Sequence, residues 1–200
     1  LETYRGCPYT CTFCNSPAKN DIAKKLGQGH FLRRKSIPIL REEIAGMIED
    51  YGCEFLYIND DAFMARPKTE NLAMAKMLKE FSLPFWFQTR FEDITELTLE
   101  AMKDAGCYRI SFGLEHGNEE YRKKRLLRNI SNEKLLKQAG IVKKVGIPYT
   151  INILIGMPYE TRELVFETLD LIKEIDSWDA LSVNTFVPYH GTILRRNAIE

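Results

Sequence analysis

Helices closed by a glycine and followed at once by a short apolar run recur along this chain, and that unit limits the fold more than any other feature. Over 37–51 the apolar residues Leu40, Ile44, Met47 and Ile48 recur at helical spacing with acids opposite. Gly52 then supplies a stop, and Phe55-Leu56-Tyr57-Ile58 follows as a buried strand. The same pattern predicts helices over 94–105 before Gly106 and over 132–145 before Gly146, with two more over 72–81 and 162–175. Strands are expected at 1–4, 55–58, 84–89, 108–114, 149–155 and 181–187. Strands alternating with helices imply right-handed βαβ units, a parallel sheet, and a binding edge at the C-terminal ends of its strands. Six such units fit either an open sheet or a partly closed barrel, and periodicity alone does not separate the two.

With 44% hydrophobic residues in 200, the chain can bury one substantial core and does not require two domains. Lys plus Arg and Asp plus Glu each number 28, so no net field draws the chain to nucleic acid or to an anionic membrane. No apolar run approaches the roughly 18 to 20 residues of a spanning helix, and a charged-then-apolar leader is absent. A cytoplasmic location is the default expectation. The chain starts at Leu1 and reaches a cysteine-rich loop after six residues, so residues 1–200 are expected to be one domain excised from a longer protein.

Cys7, Cys11 and Cys14 fall within eight residues, in Cys-Pro-Tyr-Thr-Cys-Thr-Phe-Cys. A disulfide would use two of them and strand the third. A structural zinc site needs four ligands, and the fourth would have to be His30 or a distant Cys. A cubane iron-sulfur cluster held by three thiolates suits the donor set better, and it leaves the fourth iron open to an outside ligand. Cys53 and Cys107 each follow a Gly at the start of an apolar run and read as buried structural thiols.

Polar residues at strand ends are the remaining candidates. Asn59, Asp60 and Asp61 end the second expected strand, and Gln88-Thr89-Arg90 ends the third. The fourth ends Gly113-Leu114-Glu115-His116-Gly117, and a basic run from Arg122 to Arg128 follows it. His116 reads either as a substrate-facing group or as a loop histidine. Ile153-Leu154-Ile155-Gly156-Met157-Pro158-Tyr159-Glu160 closes the fifth strand, and Pro188-Tyr189-His190-Gly191-Thr192 follows the sixth.

The spacing Cys7-x3-Cys11-x2-Cys14, with Phe13 before the last Cys, resembles the signature of the radical S-adenosylmethionine (radical SAM) superfamily. Phe112-Gly113-Leu114-Glu115, the Gly156-x-x-x-Glu160 element and the Pro188-x-x-Gly191-Thr192 turn resemble later motifs of the same family, in the same order. The resemblance implies an α/β fold, a partial (β/α)6 barrel of parallel strands. It also implies a [4Fe-4S] cluster on Cys7, Cys11 and Cys14, whose open iron chelates S-adenosylmethionine and cleaves it reductively to methionine and a 5′-deoxyadenosyl radical. Asn59, Asp60 and Asp61 would then face the methionine end, and Arg128 its carboxylate, with Arg125 as the competing choice. Glu115 or Gln88 would face the ribose, and Phe13, Ile155, Gly156 and Val187 the adenine. A one-electron reductant such as flavodoxin or ferredoxin is implied as a partner.

Asn-Asp-Asp stands where many members carry Gly-Gly-Glu. With Ala62-Phe63, and with Phe31-Leu32-Arg33-Arg34-Lys35-Ser36, it is similar to the cobalamin-binding branch, whose cobalamin would sit on a domain outside this chain. Methyl transfer or a related radical reaction at an unactivated carbon is therefore the first expectation. A radical methylthiotransferase and a non-catalytic zinc-binding α/β module are the alternatives.

Overall fold

The computed structural model describes residues 1–199. Its strands are β1 (Tyr4–Arg5), β2 (Arg33–Arg34), β3 (Leu56–Ile58), β4 (Phe85–Thr89), β5 (Cys107–Glu115), β6 (Tyr149–Ile155) and β7 (Ala180–Thr185). The last five form one parallel sheet in chain order, as expected of successive right-handed crossovers. Helix α2 (Ile37–Tyr51) leads into β3, and α3 (Lys68–Phe81), α4 (Glu96–Asp104), α6 (Asn132–Val145) and α7 (Arg162–Glu174) make the crossovers between successive strands. Three further helices are α1 (Ser16–Lys25), α5 (Glu119–Lys124) and α8 (Ile193–Ile199).

Local chemistry accounts for the helix ends. Gly52 and Gly146 close α2 and α6 in the left-handed conformation, with φ of 63° and 74°. Thr95, Asn118, Ser131 and Thr161 cap α4, α5, α6 and α7 by accepting backbone N–H groups of the first turn. Gly106 closes α4 as expected: it follows the Ala105 cap with φ of 99°, and its N–H donates to Lys103 O at 3.0 Å, while the helix itself spans Glu96–Asp104 and not the whole of 94–105.

The expected first strand over 1–4 is not part of the main sheet. Tyr4–Arg5 pairs antiparallel with Arg33–Arg34. Leu1 nevertheless sits beside β3, its N-terminal amine donating to Tyr57 O at 2.9 Å and its carbonyl accepting from Asn59 N at 2.8 Å. That is the pattern of one parallel bridge, so the sixth strand position of a partial barrel is marked by a single residue. The sixth expected strand also ends early, at Thr185, leaving Val187 outside it and 54% exposed.

Each strand has two unlike faces. Leu56 and Ile58, Phe85 and Phe87, Ile110, Phe112 and Leu114, and Ile151 and Ile153 point to the helices and form the core with Leu40, Ile44, Leu99, Met102 and Val142. Each fully buried side chain of this size contributes about 1.5–3 kcal/mol. The alternate residues, Gln88, Ser111, Gly113, Glu115, Asn152, Ser182 and Asn184, lie on the opposite face, and all seven line one cleft. A helix-packed parallel sheet is usually apolar on both faces, so this polar inner face marks where the fold departs from packing alone.

Candidate functional site

The cysteine loop crosses the C-terminal edge of the sheet and is anchored by its own backbone. Gly6 turns the chain with φ of 87°, at a point where a Cβ would meet the Phe31 carbonyl oxygen. Cys14 N donates to Cys11 O at 3.2 Å, closing a turn. Thr12, buried between them, donates from its hydroxyl to Arg125 O at 2.5 Å and from its N–H to Leu126 O at 3.3 Å, while its carbonyl accepts from Leu194 N at 3.0 Å. Pro17 then stands in the first turn of α1.

Cys7, Cys11 and Cys14 all line a cleft of 420 Å³, a volume in the range of small-molecule sites. All five cysteines are free thiols. Burial pushes the Cys7 thiol up to about 11, and it raises Cys11 and Cys14 as well. Metal loading would therefore release protons from all three. Among the described residues no three His, Cys, Asp or Glu side chains converge closely enough to share a single ion. Three thiols lining one cleft are a donor set that fits a cluster, in which each thiolate takes its own iron. His30, the candidate fourth zinc ligand, lines a neighbouring cleft and not this one.

Facing the loop is a buried charge cluster. Arg128, 3% exposed, donates from Nη1 to Glu115 Oε1 at 2.8 Å and lies 3.5 Å from Glu92 Oε2. Gly113 makes room for that pair, since a Cβ there would strike the Glu115 carboxylate and come within 3.0 Å of Arg128 Nη1. Glu115 itself has a φ of 66°, at a bulge between β5 and β6. A non-glycine residue in that region costs about 1–3 kcal/mol and marks an over-determined site. Burial raises the Glu115 carboxyl against the pull of Arg128 and Arg90. At Glu92 burial also opposes the charge, but Arg128 and Arg90 together hold the carboxyl below the usual range.

The expected site residues separate into two groups. Cys7, Cys11, Cys14, Phe13, Asp61, Gln88, Glu115 and Arg128 all line the cleft. Asn59 does not: it lines the adjoining 470 Å³ cleft, which shares Asp61. Asp60 is turned inward and accepts from Thr3 N at 2.7 Å, Tyr4 N at 3.1 Å and Arg66 Nη2 at 2.9 Å, so it braces the start of the chain. Ile155, Gly156 and Val187 lie outside the lining, and Arg125 is turned away, over the Tyr159 ring at 4.3 Å. Sequence reasoning overlooked Ser111, Asn152, Ser182 and Asn184. Their signal was the alternation of polar residues along strands whose other face is apolar.

His116 is fully buried and does not face the cleft. Its Nδ1 accepts from Asn118 N at 3.0 Å, so the proton sits on Nε2, 3.4 Å from Glu160 Oε1. Glu160 in turn accepts from Gly156 N at 2.5 Å, which ties the ends of β5 and β6 together. Burial, with Arg122 adding to it, lowers His116 from 6.5 to about 4. The unfolded chain binds a proton that the folded chain refuses, so stability contributed by this group is present above pH 6.5 and lost as pH falls toward 4. His116→Gln is expected to flatten the rise of melting temperature between those pH values relative to the parent. An unchanged slope in thermal melts would remove His116 as its source.

The thiol loop, the glycine-dependent ion pair and the polar inner face agree with the comparison to known families. The model of the radical SAM superfamily matches residues 1–172. The chain belongs to the radical SAM superfamily. An uncharacterised methyltransferase from Pyrococcus horikoshii is 28% identical over 204 residues, covering 100% of this chain and 41% of the relative. Cytidylyl-2-hydroxyethylphosphonate methyltransferase from Streptomyces wedmorensis is 25% identical over 160 residues, covering 79% and 28%. Among solved structures, the radical S-adenosylmethionine methyltransferase TsrM from Kitasatospora setae superposes with a TM-score of 0.74 at 18% identity, covering 91% of this chain and 35% of that one. The radical SAM chain described here thus spans less than half the length of these relatives. Its five-stranded parallel sheet is the partial barrel of the family. No helix among the described residues is long and apolar enough to cross a membrane.

Proposed function

We propose that this chain is the core domain of a longer enzyme that cleaves S-adenosylmethionine reductively and serves methyl transfer, cobalamin-linked, or a related radical reaction at an unactivated carbon. The observation that carries the reading is the placement of Cys7, Cys11 and Cys14 on one wall of a cleft whose other walls hold Glu115, Arg128 and polar strand residues. A [4Fe-4S] cluster on the three thiolates would supply the electron and an open iron for chelation. Methyltransferases among the relatives favour methyl transfer, and a cobalamin would be held by parts of the protein beyond these 200 residues.

The chain's own residues bind and orient. Glu115 Oε1 is held by Arg128, which leaves Oε2 to accept from a ribose hydroxyl. Arg128 already faces two carboxylates, Glu115 and Glu92, so its first role is to fix Glu115. Asp61 borders both clefts and is placed for an amino group, and Phe13 offers an apolar surface beside the loop for the adenine ring. The free thiols suit a reducing cytoplasm, and the reductive cleavage proposed here calls for a one-electron donor such as flavodoxin or ferredoxin.

Anaerobic reconstitution with iron and sulfide tests the proposal. About four irons per chain, a broad visible absorption and reductive cleavage of S-adenosylmethionine are expected. Stoichiometric zinc with no iron uptake would overturn it.

A further inference from the structure

Arg90, directly after β4, is 8% exposed. Its guanidinium lies over the Tyr9 ring, 3.6 Å from the centroid, so it is stacked on the cysteine loop itself. Nε donates to Glu92 Oε1 at 3.0 Å, and Nη2 donates to the same oxygen. The remaining fork nitrogen, Nη1, points at Cys11 Sγ from 3.7 Å. Arg122 shows what a purely structural buried arginine does in this fold: it gives its donors to His116 O, Gly117 O, Ile130 O and Asn132 Oδ1. Arg90 instead directs a charged donor at a thiol.

We propose that Arg90 is a positioning and tuning residue that raises the reduction potential of the cluster by donating to the Cys11 sulfur. The inference rests on the reading of Cys7, Cys11 and Cys14 as cluster ligands. One-electron reduction adds a negative charge to the cluster, and a fixed positive charge with an N–H at a ligating sulfur stabilises the reduced form more than the oxidised one. The guanidinium is held by the Tyr9 face and the Glu92 carboxylate, so the donor needs no reorganisation when the electron arrives. Glu92, shared with Arg128 at 3.5 Å, opposes this field and sets its size. The two residues therefore move the potential in opposite directions.

The test is a potentiometric titration, followed by electron paramagnetic resonance, of the reconstituted protein and its Arg90→Gln, Arg90→Lys and Glu92→Gln variants without S-adenosylmethionine. Arg90→Gln is expected to shift the reduction equilibrium about tenfold toward the oxidised cluster, which is about 59 mV for one electron. Arg90→Lys keeps the charge but loses the planar fork, and it is expected to fall between the two. Glu92→Gln retains an acceptor for Arg90, removes the opposing charge, and is expected to shift the equilibrium the other way. An unchanged potential in Arg90→Gln with full iron content would overturn the proposal. If Arg90→Gln holds no cluster, Glu92→Gln decides, and a potential that stays or falls overturns it. Failure of the unaltered protein to take up iron would strike the cluster reading itself.

Discussion

Cys11→Ala is expected to lose iron loading and to reduce S-adenosylmethionine cleavage to background, whereas Cys53→Ala and Cys107→Ala are expected to keep full iron content. Cys11 is the buried thiol of the loop, and it lines the cleft with Cys7 and Cys14. With three thiolates lining that cleft, removing one leaves a cluster with two cysteine ligands. Cys53, before β3, is half-buried and not fully buried as expected, and Cys107, at the start of β5, belongs to the core; each thiol donates to the carbonyl of the residue two positions on. Their loss should cost about 0.5–3 kcal/mol of stability, more at core-buried Cys107 than at Cys53, and leave the cleft alone. Iron and sulfide analysis of the four proteins checks this. Equal loss of cluster in Cys11→Ala and Cys107→Ala would refute the ligand assignment.

Asp60→Ala is expected to destabilise the fold by about 3–5 kcal/mol, because it breaks a buried pair and leaves Arg66 charged and unmatched. Both side chains are almost wholly out of solvent, at 0% for Asp60 and 3% for Arg66. The same carboxylate also satisfies the backbone N–H groups of Thr3 and Tyr4 and the Thr3 hydroxyl, so three further donors are orphaned at once. For a chain of this size the change corresponds to a fall in melting temperature of roughly 6 to 20 °C. Asp61→Ala, one residue on and exposed, should stay within about 0.5 kcal/mol of the parent. Equal melting temperatures for the two variants would show that Asp60 does not brace the chain.

The contrast between those neighbours shows what a sequence can and cannot disclose. Asn59-Asp60-Asp61 reads as one polar strand end. Only the turn that follows Ile58 decides that Asp60 faces Thr3 and Asp61 the cleft, and that turn depends on residues more than fifty positions away. Helices α2 and α6 were legible residue for residue, because each carries an apolar stripe and a glycine stop. Helix α1 was not, since Ser16 is its one buried residue and no stripe exists to be read. The cysteine spacing and Glu115 were legible from local motif alone. Arg90 became informative only when β4 and the loop, seventy-nine positions apart at Cys11, were brought together.

The hold on Thr12 bears on how the site survives damage. Its side chain, N–H and carbonyl are tied to Arg125, Leu126 and Leu194, so the middle of the cysteine loop is fastened by protein alone. Small metal domains that fold only around their ion collapse when it leaves. Here the loop keeps its frame between the ligands. A cluster lost to oxygen would leave behind an ordered cradle, ready to be refilled without refolding the chain.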